Sequence, residues 1–253
     1  MKQLTLELKK LRLQTFLWAF ILTAFVLVGL VEFQVFELSG PAVSEFMEAF
    51  PPILKSMFGM NNLNLTEFSG YYSMLAYYLI IMLSVHGLFL GYKLASSEES
   101  DKTVDFLLSK PISRTKVLLH KVIAGTVSIL VIHFVLVSLQ LLTQEHRHII
   151  LNASIILLVS HLLLYGIGLV FYFLFGEKGD KIGLLFILIM YLAPIFFELT
   201  DRFNIQSLFT WFDHQNLEKL STSSVLVISS LFLSFVVLVL ISLKLFKDKD
   251  LIN

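Results

Sequence analysis

Three histidines, a glutamine and a glutamate stand in stretches that are otherwise apolar: His86, His133, His161, Gln140 and Glu198. Ionisable or strongly polar groups inside a membrane are costly and default to functional candidates, as proton relays or ligand contacts. The three histidines are far apart along the chain. They read as separate neutral groups, each hydrogen-bonded to a neighbouring helix, and are too scattered to predict a relay. His146-Arg147-His148 offers two imidazoles at i, i+2 in a turn. That spacing does not make a metal site without ligands from elsewhere, so a solvated turn is the expectation. Other familiar chemistry is missing. No H-E-x-x-H and no G-x-S-x-G occurs, so neither a zinc hydrolase helix nor a serine nucleophile elbow is supported. With no cysteine there is no thiol catalysis and no thiolate metal site. Nor is there a G-x-x-x-x-G-K-[ST] loop; Gly176-Glu177-Lys178-Gly179-Asp180-Lys181 has the residue types in the wrong spacing. A P-loop is therefore not available to hold ATP. The sequence names no cofactor for this chain and predicts no enzyme.

The most patterned polar stretch runs from Gly91 to Lys116, between two long apolar runs. Ser96 with Glu99 fits a capping box. Glu98, Glu99 and Asp101 fall where a helix dipole favours anions. Val104, Leu107 and Leu108 share one narrow apolar face. Lys110-Pro111 ends the pattern, because the residue before proline avoids the helical region, and Ser113 suits the cap of whatever follows. These features predict a short amphipathic helix over about 97–109. It either rests on lipid headgroups or docks another protein.

The elements around it are membrane spans. Hydrophobic residues make up 57% of the 253 and mean hydropathy is +0.82, against about 45–50% apolar residues in soluble domains. Formal net charge is zero, so nothing points to nucleic acid. Apolar runs predict spans at 16–31, 71–91, 117–142, 149–175, 182–197 and 223–243, each near the roughly 20 residues a bilayer needs, with the fifth short. Phe16–Val31 is read as a retained span, since no small-x-small cleavage pattern follows it. A basic, leucine-rich start (Lys2, Lys9, Lys10, Arg12) leads into it. Between spans one and two, Gly40-Pro41 and Pro51-Pro52 separate two short amphipathic helices, Glu45–Phe50 and Ile53–Met60, expected at the outer face. A second outer interval, 200–222, carries Trp211 and Phe212, which suit an interface. Of the 19 lysines and arginines, only Lys55, Arg147, Arg202 and Lys219 fall on the side opposite the polar stretch. That bias predicts both termini and the stretch in the cytoplasm. Gly166 and Gly168 with Ser160 predict close helix packing in the fourth span. The chain reads as one all-α, multi-pass membrane domain.

The run Glu98-Glu99, then Asp101-Lys102-Thr103-x-Asp105-Phe106-Leu107-Leu108-Ser109-Lys110-Pro111-Ile112-Ser113-Arg114, entering a long apolar helix, resembles the cytoplasmic loop of ABC-2-type transporter permeases. Asp105 stands where that family often has Glu, and Lys102 where Gly is common. The resemblance implies that the short helix is a coupling helix seated in a separate ATP-binding subunit. Glu98, Glu99, Asp101 and Asp105 would be its polar contacts, Phe106, Leu107 and Leu108 its apolar plug, and Pro111 and Arg114 its edge. It further implies two ATP-binding subunits that hold ATP and Mg, a second permease subunit, identical or related, and a bacterial cell membrane. The cargo it suggests is amphipathic or apolar: a peptide, antibiotic or lipid-like compound. Two other classes remain as alternatives, a secondary transporter or channel without an ATPase, and an intramembrane enzyme. The first would want charged mid-membrane residues and inverted repeats; the second, paired catalytic groups at matched depth.

Overall fold

The computed structural model describes residues 2–61, 63–100, 113–143, 146–199 and 217–248. Eight α-helices account for most of them: α1 (Lys2–Leu38), α2 (Gly40–Ala49), α3 (Pro52–Met57), α4 (Phe68–Ser100), α5 (Arg114–Thr143), α6 (Arg147–Phe175), α7 (Gly179–Leu199) and α8 (Thr222–Asp248). A 3-10 turn, Gly176–Lys178, joins α6 to α7.

Six of these helices are long, and each contains one of the apolar runs. They overshoot the runs because polar flanks continue the same helical hydrogen bonding where a bilayer would end. The basic start and the first span are one continuous 37-residue helix. The fifth run lies in a 21-residue helix with Pro194 inside it, about 31 Å at 1.5 Å per residue. Among the described residues five stretches could cross a membrane by length and composition: Gln3–Leu38, Phe68–Glu99, Thr115–Leu142, Arg147–Phe196 and Thr222–Lys247. The fourth takes in both α6 and α7. These fold back on each other, since Gly168 of α6 and Gly183 of α7 both abut Leu88.

The breakers of the early polar interval act as helix starts. Pro41 and Pro52 sit in the first turns of α2 and α3, where a missing N–H costs nothing. Asn64 accepts from the Thr66 N–H and hydroxyl at 3.2 and 2.7 Å and donates to Glu67, shaping the turn into α4.

Contacts fix the helix directions. Along α4, Leu75 meets Gly29 and His86 meets Trp18, so α1 runs opposite to α4. Tyr72 bonds Gln140 and Ser97 bonds Lys121, so α5 also runs opposite. Gly87 and Gly91 abut His161 and Tyr165, so α6 runs parallel to α4. Phe235 and Phe246 of α8 pack on Tyr165 and Phe173, so α8 follows α6. The start of α1, the end of α4, the start of α5, the 176–178 turn and the end of α8 therefore share one end of the bundle. Buried residues of α1, α4, α5 and α6 supply most of the core, including Leu22, Val26, Leu79, Ile80, Ile132 and Leu157. The helix α8 is the least covered, with Leu226, Leu233 and Leu240 exposed along one face.

Candidate functional site

Two places gather polar side chains inside this apolar frame: the shared end around the close of α4, and a point midway along the bundle.

At the shared end, α4 runs unbroken through Ser100. Ser96 and Ser97 turn their hydroxyls back to the carbonyls of Lys93 and Leu94, at 3.3 and 3.1 Å. The expected capping box at Ser96 and Glu99 is therefore not formed. A Ser-x-x-Glu spacing also fits mid-helix, where the hydroxyl takes a preceding carbonyl instead. Residue 97 does not open a new helix.

The two neighbouring glutamates part company here. Glu98 Oε1 lies 2.7 Å from Lys121 Nζ of α5, with the two side chains 14% and 2% exposed. Lys121 also donates to the Ser97 hydroxyl. Glu99 is exposed and accepts a hydrogen bond from Tyr172 of α6. Lys93 reaches Gln14 of α1 at 3.4 Å, and Tyr92 donates to the Gly176 carbonyl at 3.3 Å. The end of α4 is thus tied to α5, α6, α1 and the 176–178 turn. Asp101, Asp105, Phe106, Leu107, Leu108 and Pro111 lie outside the described residues, as does the side chain of Arg114. Ser113 occupies the position just before α5, where its carbonyl accepts the Lys116 and Val117 amides at 3.0 and 3.2 Å.

Midway along the bundle the three histidines converge, contrary to the expectation that they are scattered. His161 is the centre. Its Nε2 is 2.8 Å from His86 Nδ1 and its Nδ1 is 3.2 Å from His133 Nε2. The rings come from α4, α5 and α6 and are 1%, 5% and 0% exposed for His86, His133 and His161. Trp18 of α1 lies against His86 with ring centroids 4.7 Å apart. A neutral imidazole has one donor and one acceptor, so both hydrogen bonds form only if all three tautomers point the same way along the chain. The outer atoms, His86 Nε2 and His133 Nδ1, have no partner. One end then presents an unpaired N–H and the other an unpaired lone pair. Such a chain can pass a proton from end to end by reversing its tautomers. Because His161 uses both nitrogens on its neighbours, the rings do not aim at a common point. Among the described residues no group of three or more His, Asp or Glu is placed to hold a metal ion.

Other polar pairs along the same seam are Thr15 with Ser128, and Tyr72 with Gln140. His146 stacks on Phe68 at 4.4 Å while remaining exposed, in keeping with a solvated turn. The side chain of Glu198 lies outside the described residues.

What brings His86 and His161 into contact is a run of glycines. A Cβ on Gly87 would lie 2.8 Å from His161 Cδ2, one on Gly91 would lie 2.2 Å from the Tyr165 carbonyl oxygen, and one on Gly168 would lie 2.1 Å from that of Leu88. Gly168 was expected to serve close packing. The partner motif, Gly87-Leu88-Phe89-Leu90-Gly91, is a small-x-x-x-small spacing that lets two backbones approach; it is legible in the sequence and complements Gly168. Gly166 instead accommodates Phe235 and Leu238 of α8. Lys121 carries no comparable signal, being a single lysine near the start of an apolar run.

Compared with known proteins, residues 53–247 match the family model described as ABC-2 family transporter protein. No curated protein and no solved structure matches the chain.

Proposed function

Since the chain belongs to the ABC-2 family of transporter proteins, matched over residues 53–247, we propose that it is the permease subunit of an ATP-driven exporter. The multi-helix apolar bundle is the membrane component of such a transporter and not its catalyst. In this reading α6 and α7 are two separate crossings, giving six in all. The shared end of the bundle faces the cytoplasm. Of the described lysines and arginines only Lys55, Arg147 and Lys219 lie away from that end, which supports this orientation.

ATP and Mg would be held by two copies of a separate ATP-binding subunit. A second permease, identical or related, would complete the path. The docking surface is the segment between α4 and α5: Glu99, Asp101 and Asp105 as polar contacts, Phe106, Leu107 and Leu108 as the apolar plug, and Pro111 and Arg114 at its edge. Glu98 is held inward by Lys121, so its part would be to orient that surface from behind. Closure of the ATPase pair would push on the segment and tilt α4 and α5. A motor can bias those helices only if it binds their two arrangements with different affinity. The cargo would be an amphipathic or hydrophobic compound, such as a peptide, antibiotic or lipid-like molecule, moved across a bacterial cell membrane.

The observation that carries the reading is the family match together with the end of α4 at Ser100 and the start of α5 at Arg114, which share the polar end of the bundle. The test is purification of the tagged chain from the membranes of its own source cells. A stoichiometric complex is expected, and Leu107→Asp should abolish stimulated ATPase without affecting membrane insertion. A rival reading, a secondary transporter without a motor, draws support from the buried histidine chain, since such proteins place ionisable groups near mid-membrane. It predicts that the chain purifies alone and that Leu107→Asp has no effect on its transport.

A further inference from the structure

We propose that Glu98 and Lys121 are positioning residues for energy coupling: their buried ion pair locks the ends of α4 and α5 into one rigid stem, so that force on the 101–113 segment moves both helices together. The inference rests on the permease reading and deepens it, by assigning how the push travels beyond the docking surface.

Three observations support it. First, the location is specific. Glu98 lies two residues before the last described residue of α4, and Lys121 lies in the second turn of α5. They stand near the two helix ends that residues 101–113 connect in sequence. Second, the pair is sequestered. Lys121 is 2% exposed and Glu98 14%, at 2.7 Å, with the Ser97 hydroxyl as a further partner for the ammonium. A pair shielded from water and held by an extra hydrogen bond is directional and strong only while both partners stay in place. Surface pairs do not constrain a joint in this way. Third, the stem is braced onward. Glu99, the next residue, takes the Tyr172 hydroxyl of α6, and the Tyr165 hydroxyl donates to the Val122 carbonyl of α5 at 3.2 Å. Beyond that, Gly91 lets α4 lie directly on the α6 backbone.

Without the lock, α4 and α5 would end as two independent helices joined only through the 101–113 segment. A push on that segment would be taken up by splaying or bending at the ends. With it, the displacement reaches the glycine seam and the histidine chain deeper in the bundle. Glu98 therefore serves the stem rather than the face offered to the ATPase.

The absence of native cysteine makes the test direct. Spin labels at Lys93→Cys and Lys116→Cys, both exposed, report the distance between the two helix ends in the full-length protein in nanodiscs. The unaltered pair should give a single narrow distance distribution, unchanged when ATP and vanadate are added to the complex with its ATPase. Glu98→Gln keeps size and a hydrogen-bond acceptor but removes the charge. It should still capture the ATPase stoichiometrically, yet broaden the distribution and lower stimulated ATPase about fivefold or more, the lower range of coupling between linked sites. Ser97→Ala, a milder change, should broaden it less. The exchange Glu98→Lys with Lys121→Glu should restore both readouts.

An unchanged distribution and full stimulation in Glu98→Gln would overturn the proposal. So would loss of ATPase capture in that variant, which would make Glu98 a docking contact after all. If the unaltered chain captures no ATPase, it is the permease reading that fails, and the distance measurements alone then decide whether the pair sets the stem.

Discussion

Replacing Gly91 by alanine sets two effects of opposite sign against each other. Alanine is the better helix former by about 1 kcal/mol in water, so propensity alone makes the variant more stable. The fold says otherwise. The added methyl would stand 2.2 Å from the Tyr165 carbonyl oxygen and 2.8 Å from the Leu169 nitrogen, both backbone atoms of α6. Ordinary contacts lie near 3.5–4.0 Å, so α4 and α6 must part locally by roughly 1 Å. The atoms in the way belong to a helix backbone and have no rotamer by which to escape. Overpacking of this kind costs about 1–3 kcal/mol, and separation also stretches the 2.8 Å contact between His86 and His161 one turn away. The expected net effect is destabilisation by up to about 2 kcal/mol once the propensity gain is subtracted, with the stretched histidine contact adding to it. Unfolding in mild detergent, followed in a Trp211→Phe background by the fluorescence of Trp18 against His86, measures it. Gly29→Ala should cost less, because its methyl meets only the end of the Leu75 side chain, and Gly40→Ala, with nothing within 4 Å, should be neutral or stabilising. If Gly91→Ala matched Gly40→Ala, the close approach of α4 to α6 would be wrong.

The histidine chain makes a graded prediction. His161→Leu strands a nitrogen on each of two partners and should cost more than His86→Leu or His133→Leu, each of which strands one, at about 1–3 kcal/mol per stranded group. The triple leucine variant should recover most of the loss, because no unpaired imidazole remains; detergent unfolding midpoints check the order. Tyr72→Phe and Gln140→Leu should be non-additive in a double-mutant cycle, with a coupling of about 1 kcal/mol for their buried hydrogen bond.

The helices were legible because a bilayer-length apolar run can satisfy its backbone only as a helix, and all six runs lie inside long helices. Their ends were not. Leu4 to Leu13 gives no clean face, yet that segment is continuous with the first span, because lysines and glutamates lengthen a helix as readily as leucines do. The glycines at 87 and 91 were readable from spacing alone. The histidine chain was not. His86 and His161 are separated by 75 residues and His133 and His161 by 28, and only the directions and registers of α4, α5 and α6 bring them level. The inward turn of Glu98 was equally hidden. In sequence Glu98 and Glu99 form one acidic pair; on a helix they point about 100° apart, one to α5 and the other to α6.

The central claim is that the segment between α4 and α5 lies in the cytoplasm, within reach of an ATPase. Single cysteines at Asp101 and Lys110, tested one at a time in the naturally cysteine-free chain, decide it when treated with a membrane-impermeant maleimide. The account predicts labelling in inside-out vesicles and none in intact cells, with Glu48→Cys on α2 giving the reverse pattern. Labelling of Asp101→Cys or Lys110→Cys in intact cells would contradict it.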